Sequence, residues 1–61
     1  MNMYNRGDVV RVSNPNDRFY GELGIILSVR ECNMGYNVKI EGGIAAIHRD
    51  YDLTLVFRSL N

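Results

Sequence analysis

Five short runs of aliphatic and β-branched residues, separated by clusters of Gly, Pro, Asn and Asp, make up most of this 61-residue chain. No segment places apolar residues at i, i+3 and i+4 over three turns, so there is no pattern from which to build a helix with a buried face. Period-two alternation takes its place. In "YNVKIE", Tyr36, Val38 and Ile40 fall in one phase and Asn37, Lys39 and Glu41 in the other, as in a strand with one face on a core. Val10 and Val12 alternate in the same way against Arg11 and Ser13, with Val9 facing the other way near a rim.

The residues between the runs carry as much information. "SNPND", Ser13 to Asp17, holds no apolar residue, and its side chains are suited to bond their own backbone, so the chain leaves the sheet there as a loop. Gly42-Gly43 is a two-residue turn signal that needs positive φ, and "IAAIH" follows as a fourth short strand. "ECNMGY" reads as a hairpin connection, "HRDYD" as a polar break that fits one tight helical turn over His48 to Tyr51, and "LTLVF" as the last strand. "ELGIILSVR" is less regular: Leu23, Ile25, Leu27 and Val29 share one phase and Ile26 has the other. Either both faces are covered or a bulge shifts the phase, and an isolated glycine inside a strand favours a bulge near Gly24.

The length allows one domain, residues 1–61, and a chain of this size buries roughly 60% of the surface its unfolded form exposes. Five short strands predict an all-β domain whose sheet curls into a single small five-stranded barrel, partly open, to protect its edges. The expected core is Val10, Val12, Ile26, Val29, Val38, Ile40, Ile47, Leu53 and either Leu55 or Val56.

The order Gly7, Asp8, Val10, Val12, then Phe19, Tyr20, Gly21, then Gly24, Ile26 and Val29 resembles the KOW motif, a strand, loop and strand unit of SH3-like barrels in ribosomal proteins and transcription elongation factors. The resemblance spans Gly7 to Val29, a little over a third of the chain. It departs from the family at two points: "SNPNDR" is longer than the usual compact turn, and Tyr20 stands where a basic residue commonly precedes the glycine. The resemblance implies an SH3-like barrel that contacts RNA or a protein through its loops. Barrels of this kind also serve as polymerase-docking domains, peripheral subunits and small phage proteins that bind host enzymes, so fold alone does not select a function.

Seven Lys or Arg balance seven Asp or Glu, which argues against tight non-specific binding to nucleic acid. No run of roughly 18 apolar residues is present and no apolar segment follows a basic start, so a soluble cytoplasmic protein without membrane contact is expected. The lone Cys32 fits a reducing compartment. His48 has no nucleophile near it in sequence and reads as structural or surface, while the carboxylates show no calcium-loop or paired-histidine spacing. No catalytic residue, metal or cofactor is expected.

The residues left with a role to fill are Arg18, Phe19, Tyr20, Tyr36, Lys39, Arg49 and Tyr51. Guanidinium groups beside aromatic rings suit stacking on single-stranded RNA or DNA, and they suit a mixed-charge protein interface equally well. In a plainer reading Phe19 caps the core and Tyr36 and Tyr51 pack at the rim. Asp17, Asp50 and Asp52 lie among them and repel phosphate, which favours a protein partner. The leading expectation is a small non-enzymatic binding module that regulates a larger protein or ribonucleoprotein complex through its loops. Direct RNA or single-stranded DNA binding and a structural subunit that dimerises stay open, as does the choice between monomer and weak homodimer. Phe57 and Leu60 either close the end of the barrel and fray, or form an apolar patch for a partner.

Overall fold

The computed structural model describes residues 3–60. Its strands are β1 (Val9–Val12), β2 (Leu23–Val29), β3 (Tyr36–Ile40), β4 (Ala45–His48) and β5 (Leu53–Phe57). They form one antiparallel sheet in the order β4-β3-β2-β1-β5. The all-β expectation holds, and every strand read from the alternation is present. Among the described residues the helical segments are two 3-10 turns, Glu31–Asn33 and Asp50–Asp52, the second close to the tight turn expected after His48. No helix among the described residues is long and apolar enough to cross a membrane.

The inner faces of the strands meet in one core of Tyr4, Val10, Val12, Phe19, Ile26, Tyr36, Val38, Ile40 and Leu53, with Val29, Ala46 and Leu55 packed against it. Tyr4 shows how far the sheet curls. Its ring meets Tyr36 of β3 edge-on at 5.3 Å, and its hydroxyl donates to the Leu53 carbonyl of β5 at 3.1 Å, although β3 and β5 are not neighbours in the sheet. The Tyr36 hydroxyl accepts the backbone N–H of Met3 and of Tyr4, so the segment before β1 is tied down at both ring and backbone. Burial first, then the Tyr36 hydroxyl and Asp50, push the Tyr4 phenol above its ordinary range, which keeps it a donor.

Two places differ from the sequence expectation, and register explains both. The bulge in β2 falls at Leu27, between the pairs Ile26↔Val38 and Ser28↔Asn37, rather than near Gly24. It turns Val29 to the same side as Ile26, which is how two residues of opposite phase both approach the core. Ile47 is 54% exposed instead of buried. It pairs with Asn37, on the outer phase of β3, whereas its neighbours Ala46 and His48 pair with the inward Val38 and Tyr36. A second shift lies between Val9 and Val10, where Val56 is the extra residue of β5; Leu55 packs on the core and Val56 is exposed. Phe57 does not close the end of the core, since it is 65% exposed.

Gly24 has a different task from a bulge. It faces inward opposite Val10 and Ile40, and a Cβ there would lie 2.6 Å from Val38 Cγ1 and 3.1 Å from the Lys39 carbonyl oxygen. Side chains from β3 fill the space that a larger residue would need. At the β3–β4 turn, Gly42 and Gly43 take φ values of +102° and +100°, as the pair of glycines requires.

The ends of the described chain converge on Asp8, which is buried in full. Its carboxylate accepts the N–H of Asn5 at 2.9 Å and of Ser59 at 2.7 Å, and Arg58 approaches to 3.4 Å. Burial alone would raise this carboxyl, but the two backbone N–H groups and then Arg58 more than offset it and hold it below the usual carboxylate range. The outer strands β4 and β5, each with a neighbour on one side only, read AAIH and LTLVF and contain no Lys, Arg, Asp, Glu or Pro.

Two measurements check this account. Gly24→Ala is expected to lower stability by about 1–3 kcal/mol in urea unfolding, from overpacking against Val38; an unchanged midpoint would show that the core gives way freely. For Asp8, a carboxyl held low in the fold adds stability above its unfolded value of about 3.9, and that contribution is lost as pH falls through the lower folded value. Between pH 7 and about pH 3 the wild type therefore loses more stability than Asp8→Asn, which at pH 7 is already weaker by about 1–3 kcal/mol. Parallel pH profiles for the two proteins would refute the role given to Asp8.

Candidate functional site

The loop between β1 and β2 carries no apolar residue before Phe19, so it has no hydrophobic reason to lie on the sheet; hydrogen bonds hold it instead. Asn14 Oδ1 accepts the Asn16 N–H at 2.9 Å, and Asp17 Oδ1 accepts the Phe19 N–H at 2.8 Å, the local side-chain turns expected of this composition. The loop is then fastened to the far end of the chain. Asn14 Nδ2 donates to Asp52 Oδ1 at 2.7 Å, and the Ser13 N–H donates to the Asp52 carbonyl at 2.8 Å. Asp52 Oδ2 accepts the Arg49 N–H at 3.1 Å, which closes the 3-10 turn Asp50–Asp52.

The second fastening is a pair that no spacing in the sequence announces. Asp17 Oδ2 lies 3.0 Å from His48 Nε2, thirty-one positions away. The Phe19 ring sits edge-on to the imidazole at 6.3 Å, and the Arg18 guanidinium lies over the Phe19 ring at 4.9 Å. His48 is only 2% exposed, and its Nδ1 is buried without a hydrogen-bond partner among the described residues. A proton on Nδ1 would be a buried donor with no acceptor, so the geometry fits the tautomer that carries it on Nε2, toward Asp17. A carboxylate beside a histidine has the outline of a general base with its orienting group. Here Asp17 occupies Nε2 and Phe19 covers the ring, so the pair serves to hold the loop against β4.

The seven residues singled out from the sequence therefore separate. Phe19 and Tyr36 are buried members of the core. Lys39 stands on the outer face of the sheet between Ile25 and Ala45. Arg18 and Tyr20 on the loop, and Arg49 and Tyr51 at the 3-10 turn, are exposed on two segments tied together by Asn14 and Asp52. Tyr20 is 59% exposed and Tyr51 77%, more than packing at a rim leaves.

Charge is distributed unevenly although the total is zero. Asp8, Asp17, Asp50 and Asp52, four of the seven carboxylates, accept hydrogen bonds within the fold. Arg18 and Arg49 are exposed beside three of them, so the loop face is mixed in sign. Among the described residues no group of three or more His, Cys, Asp or Glu side chains is placed to hold a metal ion. Cys32 is exposed on the β2–β3 connection with φ +56°.

No family model matches the sequence, and no curated protein or solved structure matches the chain.

Asp17→Ala removes both the Phe19 turn and the His48 contact. Hydrogen bonds to a charged group are worth about 1.5–3 kcal/mol, so amide exchange over residues 14–22 should quicken by roughly 10–100-fold while the strands keep their protection. Unchanged exchange in the loop would mean that Asp17 does not hold it.

Proposed function

We propose that this chain is a small SH3-like barrel acting as a non-enzymatic binding module, which docks a protein partner through Arg18, Tyr20, Arg49 and Tyr51. What supports the barrel is that Gly7 to Val29, the stretch resembling the KOW motif, runs as strand, long loop and strand, followed by three further antiparallel strands around one core. The observation that carries the function is the exposure of Tyr20 and Tyr51 beside two arginines, on segments that hydrogen bonds hold in place. A preorganised loop loses little conformational freedom on binding, and Tyr with Arg is the pairing enriched at the centres of protein interfaces. Asp50 and Asp52 at the 3-10 turn favour a mixed-charge protein surface over a phosphate backbone.

Arg18 stacked on Phe19 is the one contact that speaks for nucleic acid, since guanidinium and ring planes also stack on bases. The two readings part in solution. With a protein partner obtained by co-purification, the double variant Tyr20→Ser, Tyr51→Ser should bind about 30-fold or more weakly, as loss of interface anchors does. Lys39→Glu, away from the loops, should change little. Fluorescence anisotropy with short single-stranded RNA and DNA gives the opposing result: micromolar binding that falls steeply with salt and is lost in Arg18→Glu would replace the protein reading with the nucleic-acid one.

A further inference from the structure

Register alone sets two transverse rows of side chains on the outer face of the sheet. Phe57, Val9, Ile25 and Lys39 stand opposite one another across β5, β1, β2 and β3. Thr54, Arg11 and Leu23 form the next row, and Glu41 extends it, its N–H donating to the Leu23 carbonyl at 2.9 Å. Residues two apart on a strand are about 6.8 Å from each other, so the rows lie side by side. Phe57 and Ile25 are 65% and 46% exposed, and Val9 and Leu23 are half-buried. A shallow groove of about 350 Å³ runs beside Val9, Leu23, Ile25, Lys39 and Glu41, ending at Gly42 and Gly43.

We infer that this face pairs with the same face of a second copy of the chain. A two-fold axis lying in the face, across the strands and midway between the rows, lays each row on the other. Ile25 then meets Leu23 of the second copy, Lys39 meets Glu41, and Phe57 and Val9 lie against Thr54 and the aliphatic stem of Arg11. Every contact occurs twice, as a closed dimer requires. On β2 apolar groups meet and on β3 opposite charges meet, so this part of the face is complementary to itself, while on β1 each Arg11 lies against Val9 with no carboxylate of either row opposite it. A formal net charge of zero puts no long-range repulsion between copies. The Cα trace measures 26 × 23 Å across its two longer axes, which puts a face on one side of the molecule on the order of 600 Å². Two copies would bury on the order of 1,200 Å², the lower end of specific interfaces, where weak and transient association is common. Arg18, Tyr20, Arg49 and Tyr51 belong to neither row, so this inference does not rest on the function proposed for them.

Sedimentation velocity of the full chain from about 5 to 500 µM tests it, the range spanning the affinity expected of so small an interface. The wild type should move from the 7.0 kDa monomer toward twice that mass. Lys39→Glu and Glu41→Lys should each stay monomeric at least tenfold higher in concentration, because like charges then face each other in both halves of the dimer. Mixed in equal amounts, the two variants should dimerise again, since each now supplies the charge the other lacks. That rescue cannot come from misfolding, and melting curves of the single variants check their folding directly. Ile25→Glu, at the centre of the face, should abolish the dimer. A wild type that stays monomeric throughout would overturn the inference, as would a dimer indifferent to these variants or a mixture that fails to restore association.

Discussion

The buried carboxylate of Asp8 ties together the segments that precede β1 and follow β5, beyond the last pair of their ladder, Val9 and Phe57. It holds the N–H of Asn5 ahead of β1, the N–H of Ser59 beyond β5 and the guanidinium of Arg58, while its own carbonyl accepts the Ile26 N–H from β2. A charge taken fully out of water is tolerated only where donors replace the water, and here two of the donors are backbone groups at opposite ends of the described chain. With both ends fixed, Tyr4 reaches Tyr36 and Leu53 and covers the interior that the five strands leave between β3 and β5. A small core of this kind depends on such closure, because few side chains share the burial.

The strands were legible because alternation is a local property. Tyr36, Val38 and Ile40, or Val10 and Val12, state their inward phase without help from the rest of the chain. The errors arose where phase is decided by a neighbour. Ile47 looks inward by composition, yet pairing with Asn37 turns it out and leaves His48 inside. Gly24 announced that something unusual happens in β2, but its cause is the side chain of Val38 on the next strand, and the bulge belongs to Leu27. Asp8 and Tyr4 were hidden for a related reason: one is an acid and the other lies outside any strand, so neither carries a sign of burial in its own segment.

The candidate site was legible in residue type and much less in arrangement. Arg18, Tyr20, Arg49 and Tyr51 lie on two loops that the fold ties together, but the ties are Asn14–Asp52 and Asp17–His48, side-chain bonds across more than thirty positions. Phe19 and Tyr36 belong to the interior, where their rings hold His48 and Tyr4. Lys39, grouped with the arginines by charge, stands instead among aliphatic side chains on the outer sheet face. The chain thus presents two surfaces of different character: a loop face stiffened by polar bonds, and a sheet face whose pattern is set by register.

The outer strands add one consequence. Edges are commonly protected by a charge within the strand, and AAIH and LTLVF have none. Each is followed at once by an arginine, Arg49 after β4 and Arg58 after β5. Copies stacked in register, as in a fibril, would set guanidinium on guanidinium about every 4.8 Å along the stack. Single cations placed one residue beyond the hydrogen-bonding strand thus act as gatekeepers, leaving the native sheet undisturbed while opposing the assembly to which its edges are otherwise suited.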